Sequence, residues 1–191
     1  MNRYFNEIMF YCIDEGVGSP GGVTPEFLKT FARHYETGEP IPDEILEKLE
    51  ASSLFNQGFA TVEYLAASYL DMDWHTLTDP EEKSVNQFED ASMEKIGLIP
   101  EIPPRYRSTY FSHIFDGGYS SGYYSYIWAE VLDSDAFEAF KEKGLYDRVT
   151  AQSFRDNILA KGGSVDAMEL FRDFRGRDPE VEPLLKKRGL M

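Results

Sequence analysis

Residues 53–74 read SLFNQGFATVEYLAASYLDMDW, and their spacing predicts a long central helix. Apolar side chains recur three and four residues apart, which gives one face of a helix a wide apolar stripe that belongs in an interior. The stripe comprises Phe55, Phe59, Val62, Leu65, Ala66, Tyr69 and Leu70. Almost no segment of the chain alternates apolar and polar residues with a period of two, so the predicted fold class is all-α.

Start and stop signals predict shorter helices on both sides of this one. Thr24 before Pro25 is a capping residue followed by a first-turn proline, and Gly38 ends the helix that begins there. Gly144 predicts the end of the helix that follows the tyrosine-rich segment. Further helices are predicted over 42–50 and 82–96, from a Thr150 cap to Gly162, and from a Ser164 cap to Phe174.

Residues 16–22, GVGSPGG, interrupt the helical patterns with glycine and proline. Such a stretch is typical of a connecting segment, because these residues break both helices and strands. We therefore predict a weakly specified N-terminal arm over residues 1–22 and a single helical domain over residues 23–191.

Composition and charge restrict the function classes. A formal net charge of −15 over 191 residues argues against nucleic acid and against anionic membrane surfaces as partners. No apolar run approaches the ~20 residues that a membrane helix needs. Cys12 is the only cysteine, so no internal disulfide can form, and we expect a cytoplasmic protein.

Residues 110–130 read YFSHIFDGGYSSGYYSYIWAE and contain the densest group of tyrosines in the chain. On a helix at ~100° per residue, the part after the glycines has a polar-tipped face and an apolar face. The polar-tipped face comprises Tyr119, Tyr123, Tyr126 and Glu130, and the apolar face comprises Tyr124, Ile127, Trp128 and Val131. We expect the apolar face in the core and the tyrosines along a cleft.

A phenol suits catalysis because it donates a hydrogen bond while staying neutral near pH 7. Tyr123 and Tyr126 could therefore stabilise a developing oxyanion without a charge that must be desolvated. His113 could donate similarly or bind a peptide carbonyl, and Gly117 with Gly118 could let a loop clamp an extended peptide. A structural interpretation stays open for each, since tyrosines and histidines commonly pack in cores and paired glycines commonly form turns.

Charged residues near this segment also carry two interpretations. In PPRYRSTYF, Arg105 and Arg107 could grip a peptide carboxylate through paired hydrogen bonds, or they could form structural ion pairs. The acidic pair Asp71 and Asp73 is interpreted as a solvated helix end. His75 is interpreted as a surface or packing residue.

The segment HIFDGGYSSGYYSYIWAEVLDSDAF resembles the signature near the C-terminus of the thimet oligopeptidase and peptidyl-dipeptidase family of zinc metallopeptidases. The block FARHYETGEPIPDEILEKLEASSLFNQGFATVEYLAASYLDMDWH is similar to the helices that follow the zinc site in bacterial peptidyl-dipeptidases. The segments PPRYRSTYFSHIF and FRDNILAKGGSVDAMELFRDFRGRDPEVEPLL agree, so the resemblance covers about residues 23–190. It implies the C-terminal, all-α part of a peptidase catalytic domain that hydrolyses short peptides.

The resemblance also implies roles for individual residues. The histidine matching His113 contacts the substrate backbone, and the tyrosine matching Tyr119 touches substrate from a mobile glycine-rich loop. The tyrosines matching Tyr123 and Tyr126 point toward the zinc. The tyrosine matching Tyr126 is the one associated with stabilising the tetrahedral intermediate.

One part of the family's machinery has no counterpart in these residues. The family binds zinc through two histidines and a glutamate, and the glutamate inside HExxH activates the water, but the 191 residues contain no HExxH. We therefore expect a C-terminal fragment that binds no zinc itself, lacks peptidase activity alone, and partners with short peptides and a zinc-bearing half of the enzyme. The alternative is a non-catalytic peptide-binding or self-associating module, which would form homo-oligomers.

Overall fold

The computed structural model describes residues 24–78 and 84–191. Within these ranges the secondary structure is helical, and β pairing is limited to one isolated bridge between Arg33 and Pro40. The all-α prediction is therefore confirmed. The predicted arm over residues 1–22 and the predicted helix start near residue 82 lie outside the described residues. No helix in the described ranges is both long and apolar enough to cross a membrane.

The helices follow one another with short connections. In chain order they are α1 (Pro25–Phe31), α2 (Asp43–Ser53), α3 (Gln57–His75), α4 (Val85–Lys95), α5 (Ser112–Phe115), α6 (Ser125–Lys143), α7 (Arg148–Phe154), α8 (Ala167–Arg175) and α9 (Glu182–Lys187). A 3-10 turn precedes α5 at Ser108–Tyr110, and α7 continues into a π turn at Arg155–Leu159.

Contacts within the chain divide it into two compact units. Asn56–Tyr126 form one, which we call the tyrosine unit, and residues up to Phe55 combine with Ile127–Met191 to form the other, the terminal unit. The single helical domain over residues 23–191 stays a prediction. Each unit has its own core.

The core of the tyrosine unit lies against one face of α3. Ala66 and Leu70, one helical turn apart, are fully buried there. The other buried members of this core are Ala67, Met93, Phe111, Ile114 and Tyr123.

The predicted apolar stripe of the central helix is only partly correct. Ala66 and Leu70 are buried, but the stripe members Phe55, Phe59, Val62 and Tyr69 are exposed. The helix also begins at Gln57 instead of near residue 53, because Asn56 adopts a left-handed backbone (φ 58°) that a continuous right-handed helix does not accommodate.

The core of the terminal unit forms between α6, the π turn after α7, and α8. Its buried members are Leu132, Ala136, Ile158, Leu170 and Phe171. The predicted end of α6 is confirmed, because the helix stops at Lys143 and Gly144 follows it with a left-handed backbone (φ 111°).

Local capping agrees with the sequence at α1 and differs at two later helices. Thr24 caps α1 as predicted, with its Oγ1 accepting from the backbone N–H of Phe27 at 3.2 Å. The predicted Thr150 cap of α7 is wrong, because Asp147 Oδ2 accepts the N–H of Thr150 at 2.8 Å. The predicted Ser164 cap of α8 is also wrong, since Asp166 provides it. In each case an aspartate close by takes the capping position, and a carboxylate stabilises the positive end of a helix.

Candidate functional site

The tyrosine-rich segment is a turn followed by a helix, because α6 begins only at Ser125. The prediction of a continuous helical stripe through Tyr119, Tyr123 and Tyr126 is therefore wrong. Ser121 has a left-handed backbone (φ 54°), which interrupts a right-handed helix at this point. The predicted apolar face is also not uniformly buried, since Tyr124 and Trp128 are exposed.

The turn nevertheless brings the predicted aromatic residues together. The ring of Tyr119 stacks on that of Tyr126 with centroids 5.2 Å apart, and Tyr126 meets Tyr123 edge-on at 5.3 Å. The imidazole of His113 lies 6.1 Å from Tyr119 and 5.9 Å from Tyr123, measured between ring centroids. We call these four residues the tyrosine cluster. His113, Tyr119 and Tyr126 are half-buried.

Tyr123 differs from the rest of the cluster because it is buried, with only 3% of its surface exposed. Its N–H donates to Asp71 Oδ2 at 2.9 Å, and its carbonyl accepts from the Tyr64 hydroxyl at 2.6 Å. Burial raises the pKa of the Tyr123 phenol, so the group stays protonated near pH 7. These contacts favour the structural interpretation of Tyr123, and its role at an oxyanion stays a prediction.

The two glycines form the turn that ends α5. The backbone N–H of Gly117 donates to Ser112 O at 2.7 Å, and that of Tyr119 donates to His113 O at 3.0 Å. A Cβ on Gly117 would lie 2.9 Å from the His113 backbone, and Gly118 has a left-handed φ of 83°. Both positions therefore need glycine for the turn itself. Contact of Gly117 and Gly118 with a ligand stays a prediction.

The two arginines differ in their partners. Arg107 Nη1 lies 2.6 Å from Oε1 of the buried Glu89, and Ser108 donates its N–H to Oε2 of the same carboxylate at 2.7 Å. Burial alone would raise the pKa of Glu89, but the hydrogen bonds from Arg107 and Ser108 outweigh it and hold that pKa below its ordinary value. Arg107 therefore forms the structural ion pair that was one of its two interpretations.

Arg105 lies close to the tyrosine cluster. Its guanidinium carbon lies 5.8 Å from the centroid of the Tyr106 ring, and that ring lies 5.4 Å from the imidazole of His113. Arg105 is exposed, so its charge is open to an anion in solution. Substrate binding by Arg105 stays a prediction.

Sequence reasoning missed Asp71, which is fully buried and not a solvated helix end. Its Oδ1 accepts the N–H of Ser121 at 3.0 Å, its Oδ2 accepts that of Tyr123, and His75 Nδ1 lies 2.9 Å from Oδ1. A signal was available, because Asp71 follows the buried Leu70 and precedes His75 by four residues, which places aspartate and histidine one helical turn apart. Its neighbour Asp73 is bound as well, accepting from Ser92 and Lys95.

The residues of the described ranges do not fit a metal ion. Across 24–78 and 84–191, no three histidine, cysteine, aspartate or glutamate side chains converge on a common point that could hold one. We therefore assign no chemical step to a metal held by these residues.

Comparison with known proteins gives the class of protein. Residues 23–190 match peptidase family M3. The matched region contains all of the tyrosine cluster and the arginine-containing segment before it. This chain belongs to peptidase family M3, as the resemblance of its motifs indicated.

Individual relatives are similar over nearly the whole of this chain. The dipeptidyl carboxypeptidase of Salmonella typhimurium is 44% identical over 168 residues, and that of Escherichia coli is 43% identical over 168 residues. The oligopeptidase A of Escherichia coli is 41% identical over 167 residues. Each alignment covers 87% of this chain and 25% of the relative. The chain therefore spans about a quarter of the length of the curated relatives that it matches.

Proposed function

We propose that this chain carries the peptide-binding side of an M3 peptidase that hydrolyses short oligopeptides in the cytoplasm. The observation that carries the proposal is the tyrosine cluster, in which three half-buried aromatic residues lie together. Membership of peptidase family M3 supports hydrolysis of peptide bonds. The names of the dipeptidyl carboxypeptidase and oligopeptidase A relatives support short peptides as substrates and release of C-terminal dipeptides as the mode.

Each member of the cluster has a chemical task in this proposal. Tyr126 donates its phenol hydrogen bond to the oxyanion of the tetrahedral intermediate, where a neutral donor costs no desolvation of charge. His113 and Tyr119 bind the peptide backbone, and Arg105 attracts the peptide carboxylate. Tyr123 packs behind Tyr126 and supports it, as its edge-on contact at 5.3 Å suggests.

Zinc belongs to this proposal only as part of the complete enzyme. A metal ion polarises the scissile carbonyl and activates water in such hydrolases. We propose that the zinc-binding residues come from a segment other than these 191 residues, which contain no HExxH. On this basis the purified chain is expected to cleave no peptide with or without added zinc, and zinc-dependent cleavage by it would contradict this division of roles.

A chimera tests the function directly. Residues 23–190 would replace the matching segment of the Escherichia coli dipeptidyl carboxypeptidase, to which they are 43% identical. We expect the chimera to release dipeptides, and Tyr126→Phe to lower kcat by about 100-fold, the usual cost of losing one oxyanion donor. Tyr124→Phe is the matched control, because Tyr124 is exposed and outside the cluster. A folded chimera without cleavage activity, or equal effects of the two variants, would overturn the proposal.

A second function is favoured by exposed apolar side chains on the terminal unit. Phe31, Tyr35 and Phe55 are 56%, 88% and 76% exposed. Large exposed aromatic side chains are common at interaction surfaces. If the chain is a self-associating module, sedimentation equilibrium will show a concentration-dependent dimer that Phe31→Ser with Phe55→Ser disrupts. A monomer at all concentrations would exclude this alternative.

A further inference from the structure

Asp71 binds the main chain of the turn that carries the tyrosines. Its side chain is fully buried, and its two oxygens accept two backbone N–H groups that are two residues apart, from Ser121 at 3.0 Å and Tyr123 at 2.9 Å. Ser121, the first of these donors, adopts a left-handed backbone (φ 54°), which costs free energy for any residue other than glycine. Such a conformation persists where surrounding contacts hold it, and the carboxylate provides two of those contacts.

His75 contacts the same carboxylate at Oδ1, the oxygen that also accepts from Ser121. Its Nδ1 lies 2.9 Å from Asp71 Oδ1 and 2.8 Å from the Asp71 carbonyl oxygen, one turn along α3. The imidazole ring is itself packed, with its centroid 5.7 Å from that of Phe115. A contact within α3, from His75, therefore sets the orientation of the Asp71 carboxylate.

Tyr64 binds the other end of the Tyr123 residue. Its hydroxyl donates to Tyr123 O at 2.6 Å, and its ring stacks on the Tyr123 ring at 5.5 Å. Tyr64 precedes Asp71 by seven residues, so both project from the same face of α3. The N–H and the carbonyl of Tyr123 are thus both held by one rigid helix.

The fixed position of Tyr123 is passed to the half-buried members of the cluster through ring contacts. Tyr126 packs edge-on against Tyr123, and Tyr119 stacks on Tyr126. Displacing the turn by a fraction of an ångström would therefore move both rings. We propose that Asp71 is a positioning residue, which holds the 119–123 turn so that Tyr119 and Tyr126 are arranged to bind a peptide.

This inference rests on the proposed peptide-binding function, and one set of measurements on the full chain tests it. The variant is Asp71→Asn, and the matched control is Asp73→Asn, which removes a nearby carboxylate on α3 that binds Ser92 and Lys95 instead of the turn. The readouts are amide hydrogen exchange by NMR, the ring resonances of Tyr119 and Tyr126, and affinity for N-acetylated tetra-alanine.

We expect Asp71→Asn to speed exchange at the Ser121 and Tyr123 amides by about tenfold or more, because each loses a charged acceptor. The core amides of α3 should keep their protection, the ring resonances of Tyr119 and Tyr126 should shift, and peptide affinity should fall by about tenfold. Asp73→Asn should leave the exchange rates of these amides, the protection of the α3 core, the ring resonances and the peptide affinity unchanged. A general loss of protection throughout the tyrosine unit would show a merely structural role and overturn the inference.

A second variant keeps the test decisive if Asp71→Asn does not fold. Tyr64→Phe removes only the hydroxyl that binds Tyr123 O, keeps the ring stack, and leaves Asp71 in place. Because Asp71 remains, the Ser121 and Tyr123 amides should stay as protected as in the wild type, and fast exchange at both would show that Tyr64 and not Asp71 holds the turn, which would overturn the inference. If the wild-type chain fails to bind tetra-alanine, the proposed function fails, and the exchange and resonance data still decide whether Asp71 positions the turn.

Discussion

Two fully buried aspartates, one in each unit, are held in chemically different ways. Asp71 in the tyrosine unit receives two backbone N–H groups and a histidine. Asp135 on α6 of the terminal unit receives a guanidinium in two-pronged geometry, with Arg177 Nη1 and Nη2 each 2.6 Å from its oxygens. The first carboxylate therefore shapes a main-chain turn, whereas the second is neutralised by opposite charge.

The partners of Asp135 extend this difference. Arg175 Nε lies 3.1 Å from Oδ1, and the backbone N–H of Glu180 donates to Oδ2 at 2.7 Å. Arg175 is the last residue of α8 and Glu180 lies between α8 and α9, so Asp135 anchors the C-terminal part of the chain to α6. The comparison teaches that one residue type, equally buried, acts on conformation in one place and on stability in the other. The hydrogen-bond donors determine which of the two roles the aspartate has. Guanidinium groups neutralise its charge, whereas backbone amides fix the conformation of the main chain that binds it.

The largest expected effect is on the charged anchor. Asp135→Asn leaves the nearly buried Arg175, only 7% exposed, facing a neutral amide. We expect the free energy of unfolding to fall by about 3 kcal/mol, since removing one partner of a buried ion pair leaves an uncompensated charge. Urea denaturation followed by circular dichroism measures it. The control is Asp133→Asn on the same helix. Burial already raises the pKa of the Asp133 carboxyl, so neutralising that group should change stability little. Equal effects of the two variants would show that the buried ion pairs of Asp135 do not account for its contribution to stability.

Acid should weaken the same anchor. Burial alone would raise the pKa of Asp135, but Arg177, the Glu180 amide and Arg175 outweigh it and lower that pKa below its ordinary value. A depressed folded-state pKa means that the stabilisation is complete above the unfolded value of about 3.9 and is lost as pH falls through the folded value. The stability gap between wild type and Asp135→Asn should therefore be constant from about pH 5 upward and shrink below about pH 4. A gap that stays constant down to about pH 2.5 would show that charge does not hold this anchor.

The smallest expected effect is at Glu89, a carboxylate that accepts from both a guanidinium group and a backbone amide. It receives Arg107 on one oxygen and the N–H of Ser108 on the other. Because Arg107 is half exposed, and because Ser108 still donates its N–H and its hydroxyl to the Glu89 carboxylate, Arg107→Gln should cost only about 1 kcal/mol in unfolding free energy. The matched variant Arg105→Gln should leave thermal stability unchanged and weaken binding of peptides with a free carboxyl end. Reversed roles of the two arginines would show that Arg107, and not Arg105, faces the ligand.

Sequence reasoning succeeded where the determining contacts are local. The Thr24 cap, the Gly144 stop and the helical class follow from neighbouring residues, and each is present. It failed at Thr150 and Ser164, where nearby aspartates took the capping position instead. It also placed Tyr119, Tyr123 and Tyr126 together for a helical reason that is wrong, since a turn with a left-handed Ser121 and not a helical period brings them together.

By itself, the amino-acid sequence determined that this chain is all-α, that it belongs with peptidase family M3, and which aromatic residues lie in its distinctive segment. The fold class and the aromatic segment depend on residues within a few positions of one another, and the family is indicated by motifs distributed over residues 23–190. Only the tertiary structure decided that Tyr123 is interior, that Arg107 is bound to Glu89, and that Asp71 holds the tyrosine turn. The hydrogen bonds from Ser121 and Tyr123 to Asp71 span 50 and 52 residues of sequence. Contacts at that separation arise only when the chain has folded, because no local period or cap specifies which buried carboxylate a distant turn will meet.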